Sequence, residues 1–370
     1  MESQKSNALE NKMKPRLIAI TLSTLTSLFF NYPAFAIPPH SKLSPSCCEK
    51  TTPDNTPSPD KLIYLISVSS QYDEDSIPEI KQIFSSSGYN IDTTYLHQNP
   101  TPLGYTDTDK ARADTLIKAL TDKKVKYLWF VRGGEGALNL YPYLYAKKAE
   151  IAKSTPKILI GFSDVTAIHY YVNNVIKWPS VHGVFASYNK EMHAIDPKRE
   201  INMYSSINDT FSAISKGVTY NEILPMNAAA HAGATGIASG SNLTLIKSFF
   251  STKYEEQYSG KILLLEDINE APQQLDRALH QLSYKKNFHP KAIIFGQFYK
   301  DDLDEKSKQL YENIISDFSQ KNKYPVYYYP KFGHGYTNSP FLLARKLEIT
   351  CKEKYNSCSL KQSPLYQHLK

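Results

Sequence analysis

Short runs of apolar residues alternate with amphipathic stretches along most of the chain. The first run, 62–68, is followed by a helical pattern through Ile77, Ile80 and Phe84 that stops at Gly88. Further apolar runs that fit buried strands lie at 127–131, 158–161, 261–265, 292–296 and 326–329. Helical patterns lie at 109–121, 137–150 and 242–250, and Leu275, Leu279 and Leu282 mark another. This alternation predicts an α/β protein in which two lobes, each built on parallel strands, meet at a cleft.

The first 36 residues have the pattern of a secretory signal peptide. Lys12, Lys14 and Arg16 precede an apolar stretch at 17–30, and residues 34–36, Ala-Phe-Ala, supply a small-x-small cleavage site. The apolar stretch is short for a membrane-spanning helix, which needs about 20 residues. We therefore expect cleavage and export to the periplasm or beyond. An uncleaved membrane anchor is the alternative.

Changes in composition divide the chain further. Residues 37–60 contain six Pro and four Ser, which is typical of an exposed tether. Residues 188–232 have no long period and are interpreted as a connection between the lobes. The predicted layout is a signal peptide at 1–36, a tether at 37–60, a first lobe at 61–187, a connection at 188–232, a second lobe at 233–350 and a C-terminal tail at 351–370.

Composition and charge narrow the class of protein. The 370 residues are 41% hydrophobic and 21% charged, an ordinary globular mixture that excludes wholesale disorder and a collagen-like repeat. The net charge is +7, and removal of residues 1–36 takes away four basic and two acidic groups, leaving +5. The lysines are scattered rather than arranged in a stripe, so we expect no nucleic-acid partner. A mild positive bias favours an anionic polymer such as cell-wall peptide.

Four cysteines would remain after cleavage: Cys47, Cys48, Cys351 and Cys358. An even number of cysteines in an exported chain permits disulfides. Cys351 and Cys358 could close a local loop, whereas the adjacent Cys47 and Cys48 could instead reach the C-terminal pair. The connectivity stays open at this point. No metal-binding spacing accompanies the cysteines, and no metal site is expected.

Ser163 lies where a buried strand meets a helix, within Gly161–Thr166. A serine at such a sharp turn presents its hydroxyl clear of the sheet. The next backbone N–H, that of Asp164, would lie at the helix N-terminus, where partial positive charge stabilises an oxyanion. The alternative is that Ser163 or Asp164 simply caps the helix.

A carboxylate pair and a histidine are the second set of candidates. Glu266 and Asp267 end the apolar run at 261–265, and open α/β sheets gather functional residues at such strand ends. His334 lies between two glycines after the run at 326–329, as a general base could. The alternative for the carboxylates is capping of the next helix. Of the other histidines, His182 could line a cleft, and His169 is expected either to pack or to snorkel towards solvent.

A glycine-rich turn, residues 132–136, follows another buried strand directly. It lacks the spacing of a nucleotide-binding fingerprint. Its backbone N–H groups could approach an anion, and Arg132 could pair with a carboxylate.

Together these segments resemble the LD-carboxypeptidase family, serine peptidases of the S66 type that include the microcin C self-immunity proteins. The matching motifs are R-G-G-x-G at 132–136, G-x-S-D-x-T-A at 161–167, G-x-N-L at 240–243, L-E-D-x-x-E-x-P at 265–272 and F-G-H at 332–334. Their order and spacing agree with the family over about residues 60–350. Five ordered motifs are far more specific than any one of them.

The resemblance implies an N-terminal lobe like the parallel-sheet layer of class I amidotransferases and a smaller C-terminal β/α lobe of the swivelling-barrel type. It implies a triad that maps onto Ser163, Glu266 and His334. For the mechanism we expect the backbone N–H groups of Gly134 and Asp164 to stabilise the oxyanion. The family suggests a homodimer and requires no metal or cofactor.

Three residues are expected to bind substrate: Arg132, Glu135 and Asn242. Glu135 stands where the family usually has an aromatic residue, and Ser241 replaces a usual glycine. Residues 341–345 also depart from the usual glycine-ended strand. These differences concern substrate choice more than the chemistry.

Three functions follow from these predictions. The first is an exported carboxypeptidase that cuts the L,D-peptide bond of peptidoglycan stem tetrapeptides and releases the terminal D-alanine. The second is a self-immunity hydrolase of a peptidyl-nucleotide antibiotic, which the signal sequence disfavours because such a target acts inside the cell. The third is a muropeptide-binding protein without catalytic activity.

Overall fold

The computed structural model describes residues 61–186, 198–300, 302–335, 337–352 and 356–365. The predicted signal peptide and tether lie outside these ranges, so both stay predictions. None of the helices in the described ranges is long and apolar enough to cross a bilayer.

The first lobe is built on a six-stranded sheet. Its strands are β1 (Leu62–Ile66), β2 (Asn90–Tyr95), β3 (Tyr127–Phe130), β4 (Ile158–Gly161), β5 (Ser180–His182) and β11 (Phe341–Leu343). They lie side by side in the order β2-β1-β3-β4-β5-β11. The first five are parallel, and β11 runs antiparallel to β5. Burial of β3 and β4 on both faces explains why these strands are continuously apolar.

Helices and aromatic side chains cover this sheet. The helices are α1 (Ile77–Ser86), α2 (Asp109–Thr121), α3 (Tyr141–Ala146), α4 (Lys148–Ala152), α5 (Thr166–Tyr171) and α6 (Lys198–Lys216). The predicted helix at 137–150 is a 3₁₀ turn, Ala137–Leu140, followed by the short helices α3 and α4. On α1 the predicted face is buried, and Phe84 packs edge-on against Trp129 with ring centroids 4.8 Å apart.

The second lobe is a closed seven-stranded barrel. Its strands are β6 (Val218–Pro225), β7 (Ala234–Asn242), β8 (Lys261–Glu266), β9 (Ala292–Phe295), β10 (Val326–Tyr328), β12 (Lys346–Cys351) and β13 (Cys358–Gln362). The closed order is β10-β6-β13-β12-β7-β8-β9, with β7 to β10 parallel. Helices α7 (Leu243–Ser248), α8 (Pro272–Tyr284) and α9 (Glu305–Lys321) belong to the same part of the chain. As predicted, Leu275, Leu279 and Leu282 form the buried face of α8.

The structure draws the segment boundaries differently from the prediction. The predicted connection contains α6, whose Phe211 stacks on Tyr89 of the first lobe, and β6, a strand of the barrel. The predicted tail contains β13, which closes the barrel between β6 and β12. The second-lobe segment contains β11, which completes the first sheet. The barrel closes through pairings between distant segments, and local periodicity does not encode such pairings.

Cys351 and Cys358 form a disulfide between the neighbouring strands β12 and β13, where they stand directly opposite each other. This is the local loop among the alternatives left open by the sequence. Pairing of these two cysteines with Cys47 and Cys48 does not occur in this structure, and the latter two lie outside the described residues.

Candidate active site

Ser163 lies at the sharp turn between β4 and α5, as the sequence predicts. Its backbone has φ = 56°, in the left-handed region that residues other than glycine rarely adopt. Such backbone strain costs on the order of 1–3 kcal/mol and clusters at functional sites. The turn also leaves the serine side chain half-buried at the carboxyl end of the sheet.

His334 and Glu266 approach Ser163 from the second lobe. The Nε2 atom of His334 lies 3.0 Å from the Ser163 hydroxyl oxygen, and its Nδ1 atom lies 2.7 Å from Oε2 of Glu266. Glu266 ends β8 and is fully buried, whereas the His334 side chain is 14% exposed. The structure thus brings together the three residues predicted as a triad, in the hydrogen-bonded order serine, histidine, carboxylate.

Gly333 lets the histidine loop cross closely over Glu266. Its φ is +110°, and a Cβ atom built on it would lie 3.0 Å from Cβ of Glu266 and 3.1 Å from its Oε2. A side chain here would therefore move the loop away from the carboxylate. This contact explains why a glycine immediately precedes His334 in the F-G-H motif.

The glycine-rich turn at 132–136 packs directly beside Ser163. A Cβ atom on Gly133 would lie 3.3 Å from Cβ of Ser163, and one on Gly134 would lie 2.2 Å from the hydroxyl oxygen of Ser70. Ser70 in turn accepts a hydrogen bond from the Glu135 backbone N–H, at 3.0 Å. Within the described ranges, the backbone N–H groups of Gly134 and Asp164 donate to no other residue. Both therefore stay available to an oxyanion.

The Asp164 carboxyl group links the end of this turn to the residue after Ser163. It is 4% exposed, and its Oδ2 accepts a hydrogen bond from the Ala137 N–H at 2.9 Å. Burial raises the pKa of Asp164 to about 6, and the charge of Glu135 adds to this effect. The bond from Ala137 and the guanidinium of Arg112 act in the opposite direction. The Asp164 side chain thus connects the two segments that carry the predicted oxyanion donors, the glycine-rich turn with Gly134 and the turn with Asp164 itself.

The predicted substrate-binding residues lie in different environments. Arg132 and Glu135 are exposed, although Arg132 Nη1 also donates to the carbonyl of Gln71 at 2.6 Å. Asn242 is buried: its Oδ1 caps α7 by accepting from the Leu245 N–H, at 3.1 Å. Its Nδ2 donates to Asp267, also at 3.1 Å. The structure therefore gives Asn242 a structural role, and its predicted contact with substrate stays a prediction.

The alternative that Glu266 or Asp267 caps the next helix is wrong, because the residue before α8 is Ala271. Asp267 instead accepts a bond from the Thr244 N–H at 2.8 Å, at the N-terminus of the preceding helix α7. His169 is fully buried, and its Nε2 donates to the Gly161 carbonyl at 2.9 Å. Burial lowers the pKa of His169 to about 3, so the ring is neutral and packs as expected.

A buried polar group beside the triad was missed from the sequence. Asn338 lies on the histidine loop and contacts His182, which the sequence marked as a cleft residue without a partner. No motif or periodicity indicates Asn338, because its partners are distant in sequence. In the described part of the chain, no group of three or more His, Cys, Asp or Glu side chains is arranged to hold a metal ion.

A serine bonded to a histidine that is bonded in turn to a buried carboxylate defines a serine hydrolase. The family model for the LD-carboxypeptidase N-terminal domain matches residues 63–183, and that for the C-terminal domain matches residues 235–349. The chain belongs to the LD-carboxypeptidase family, S66, and is a serine peptidase of that family.

Two curated relatives illustrate the sequence similarity. A putative carboxypeptidase of Rickettsia prowazekii is 30% identical over 239 residues, covering 64% of this chain and 71% of the relative. The murein tetrapeptide carboxypeptidase of Pseudomonas aeruginosa is 27% identical over 240 residues, covering 62% of this chain and 74% of the relative.

Two solved structures share the fold. The muramoyltetrapeptide carboxypeptidase of Oxalobacter formigenes superimposes with a TM-score of 0.67 at 20% identity, covering 82% of this chain and 98% of that one. An MccF-like protein of Bacillus anthracis gives a TM-score of 0.68 at 17% identity, covering 82% and 97%. Both confirm the α/β architecture of a parallel-rich sheet beside a barrel.

Proposed function

We propose that this protein is an LD-carboxypeptidase that cuts the L,D-peptide bond of peptidoglycan stem tetrapeptides and releases the terminal D-alanine. The observation that carries the proposal is the contact of His334 with both Ser163 and Glu266 across the two lobes. The murein tetrapeptide activity named for the Pseudomonas relative supports the choice of substrate.

The reaction would proceed through an acyl-enzyme. Ser163 Oγ attacks the carbonyl carbon of the scissile bond while its proton passes to Nε2 of His334. Collapse of the tetrahedral intermediate breaks the C–N bond, and His334 returns the proton to the leaving D-alanine amine. A water molecule, deprotonated by His334, then attacks the ester and restores Ser163. Throughout, Glu266 accepts the Nδ1–H bond and holds the imidazole in the required tautomer.

The backbone N–H groups of Gly134 and Asp164 would stabilise the tetrahedral oxyanion. Within the described residues neither N–H group donates a hydrogen bond to another residue, which supports this role. Loss of one such donor typically lowers turnover by about 10²–10³-fold.

A carboxypeptidase must also recognise a free terminal carboxylate. Arg132 is our candidate, because it is exposed at the start of the glycine-rich turn and, among the described residues, its guanidinium donates only to the Gln71 carbonyl, which uses one of its five N–H groups. The exposed carboxylate of Glu135 would meet the free amine of the diamino acid at the third stem position. Asn242 would contact substrate through its second Nδ2 hydrogen, or after exchange of its capping bond to Leu245 or its bond to Asp267.

We further propose that the protein acts in the periplasm or outside the cell. The basic residues, apolar stretch and small-x-small site in residues 1–36 support export. The Cys351–Cys358 disulfide adds support, because such bonds persist mainly in oxidising compartments. N-terminal sequencing of the exported protein tests this, and the expected first residue is Ile37.

The partner we propose is a peptidoglycan-derived peptide, with neither nucleic acid nor stable membrane insertion after cleavage. The family resemblance also suggests a homodimer. Light scattering on the mature protein tests the dimer independently of activity.

The MccF-like structural neighbour favours one alternative, a self-immunity hydrolase of a peptidyl-nucleotide antibiotic. Export disfavours it, because that class of toxin acts inside the cell. A muropeptide-binding protein without activity is disfavoured by the assembled triad.

Mass spectrometry of the purified mature protein incubated with tri-, tetra- and pentapeptide muropeptides separates these functions. We expect the tetrapeptide alone to lose D-alanine, and Ser163→Ala to leave it intact. Cleavage of an aminoacyl sulfamoyl-adenosine but not of the tetrapeptide would establish the self-immunity class. Binding of the tetrapeptide without product would establish the non-catalytic class.

A further inference from the structure

His182 belongs to the first lobe and forms hydrogen bonds to two segments near the predicted triad: strand β7 and the loop that carries His334. It ends β5, is fully buried, and its Nδ1 lies 2.8 Å from the hydroxyl oxygen of Ser241 on β7. Its Nε2 lies 2.9 Å from Oδ1 of Asn338, on the loop that carries His334.

The partners of His182 fix which nitrogen carries the proton. Oδ1 of Asn338 also accepts the Gly333 N–H at 3.0 Å, so this atom is an acceptor, and Nε2 of His182 must donate to it. Burial lowers the pKa of His182, and the nearby His334 acts in the same direction, whereas Glu266 and the bond to Asn338 oppose it. The ring is therefore neutral, and its Nδ1 accepts the Ser241 hydroxyl proton.

The remaining hydrogen bonds continue in the same donor-to-acceptor direction and form a chain. Thr166 Oγ1 lies 3.3 Å from Ser241 Oγ and also accepts the Asn242 backbone N–H at 3.3 Å. Because Ser241 uses its only hydroxyl hydrogen on His182, Thr166 donates to Ser241. Thr166, Ser241 and His182 are each at most 1% exposed. The direction of each bond is therefore set from Thr166 as far as Oδ1 of Asn338, because two donors or two acceptors facing each other in a buried site are unfavourable.

This chain ends on the loop that carries His334. Asn338 holds the N–H of Gly333, the residue before His334, and Gly333 is the residue that crosses closely over Glu266. The Phe162 ring also packs against both histidines. Its centroid lies 4.8 Å from that of the His334 ring and 5.8 Å from that of the His182 ring. The side chain that accepts the bond from His182 therefore also holds the residue immediately before His334.

We propose that His182 is a positioning residue, whose neutral Nε2–H group fixes Asn338 and thereby the backbone of Gly333 that places His334 between Ser163 and Glu266. This inference rests on the proposed hydrolytic function. It adds a dependence of turnover on a side chain that touches neither the substrate nor the triad directly. If His182 had only a structural role, its substitution would lower the folding stability but would not change the turnover of the folded protein.

Two substitutions test the roles of the two ring nitrogens of His182 separately. In His182→Gln the side-chain amide can reach the Nε2 position and still donate to Asn338. In His182→Asn the shorter amide reaches only the Nδ1 position beside Ser241. We expect the Gln variant to keep kcat within about fivefold and the Asn variant to lose about 10–100-fold in kcat with little change in KM, because small misplacements of catalytic groups reduce turnover on this scale. His289→Asn, the same change at an exposed histidine, is the control.

The reaction of Ser163 with a fluorophosphonate probe, followed by intact-mass spectrometry, gives a readout that needs no peptide substrate. We expect the labelling rate to fall in His182→Asn and to be largely retained in His182→Gln. If wild-type protein is labelled but leaves the tetrapeptide intact, the proposed substrate is wrong and the positioning role can still be tested.

A double-mutant cycle with Asn338→Ala completes the test. Because both side chains act through one bond, the double variant His182→Asn/Asn338→Ala should be no slower than the slower single variant. Thermal melting confirms that each variant is folded. The proposal is overturned if folded His182→Asn and His182→Gln lose labelling rate equally, or if the effects of His182→Asn and Asn338→Ala multiply.

Discussion

Nε2 of His334 lies 3.0 Å from the Ser163 hydroxyl oxygen, although the two residues are 171 positions apart in the chain. One comes from the end of a parallel sheet strand and the other from a loop that leaves the barrel. The site therefore exists only when both lobes are folded and in contact, and its activity reports on their assembly.

Ser163→Ala should abolish hydrolysis without unfolding the protein. Loss of the nucleophile in a serine peptidase lowers kcat by about 10⁶-fold. The serine is half-buried at a turn, so its hydroxyl contributes little to the core. Steady-state kinetics and thermal melting measure the two effects, with the exposed Ser85→Ala as control. Normal turnover by Ser163→Ala would show that another residue is the nucleophile.

Gly333→Ala should damage the site by displacing His334. The new Cβ atom would meet Glu266 at 3.0 Å, and we expect a loss of about 10²-fold in kcat from the displaced imidazole. Gly260→Ala is the matched control: its φ is also positive, at +78°, but a Cβ atom there has nothing within 4 Å. The control should lose about 1–2 kcal/mol of stability and keep its kcat. Equal kinetic losses in the two variants would contradict the steric argument.

The folding stability of the protein should carry a pH-dependent contribution from Asp164. Its pKa is raised from 3.8 to about 6 by burial, so the folded state retains a proton that the unfolded state has lost. This contribution is fully present below pH 4 and is lost as the pH rises through 6. At about 1.4 kcal/mol per pKa unit, the loss is about 3 kcal/mol.

Denaturant unfolding of the wild type and Asp164→Asn across pH 4–7 measures this contribution as a difference. The stability of the wild type should fall relative to that of Asp164→Asn as the pH rises, since the amide does not ionise. The exposed Asp302→Asn should follow the wild type. A constant difference between wild type and Asp164→Asn would mean that Asp164 ionises normally in the folded protein.

Reduction of the Cys351–Cys358 disulfide should loosen the barrel. The bond closes a loop with a sequence separation of 7, for which the chain-entropy argument gives about 2–3 kcal/mol. Denaturant unfolding with and without a thiol reductant measures the loss, and peptide mapping without reduction identifies the bond. The double variant Cys351→Ser/Cys358→Ser should be insensitive to the reductant. A wild type that is equally stable in both conditions would exclude a structural role for the bond.

Glu135 should favour tetrapeptides whose third residue has an unblocked amine. Its exposed carboxylate would attract that amine, and cross-linking removes the amine's charge. We expect Glu135→Gln to reduce the preference for free over cross-linked tetrapeptides several-fold, on the scale of about 1 kcal/mol for an exposed ion pair. Competition assays with both substrates measure it, and Glu305→Gln in the second lobe is the control. Equal cleavage of both substrates by the wild type would refute this role.

The elements predicted correctly from the sequence are those whose signal is local. Strand β8 is a continuous apolar run because both of its faces are buried, and α2 has the bounds that its pattern predicts. The three predicted triad residues could be brought together because each lies in a family motif at a strand end, and the structure explains two of these motifs by the strained turn at Ser163 and the close packing at Gly333.

The elements that escaped prediction depend on distant partners. Strand β13 alternates buried and partly exposed residues and owes its place to β6 and β12. Strand β2 is mostly half-exposed and contains no apolar run. Asn338 is recognisable as a site residue only through His182, 156 positions away.

Strand β11 has a consequence for the modularity of the protein. It follows the histidine loop in sequence, yet it pairs with β5 of the first sheet, with Phe341 opposite His182. The loop is thereby tied to the barrel at β10 and to the sheet at β11. A protein cut between the two family domains would leave the first sheet without its last strand and would expose the edge of β5, a surface prone to intermolecular pairing. The two domains are therefore not interchangeable cassettes, and recombination between relatives would have to preserve the match between β5 and β11.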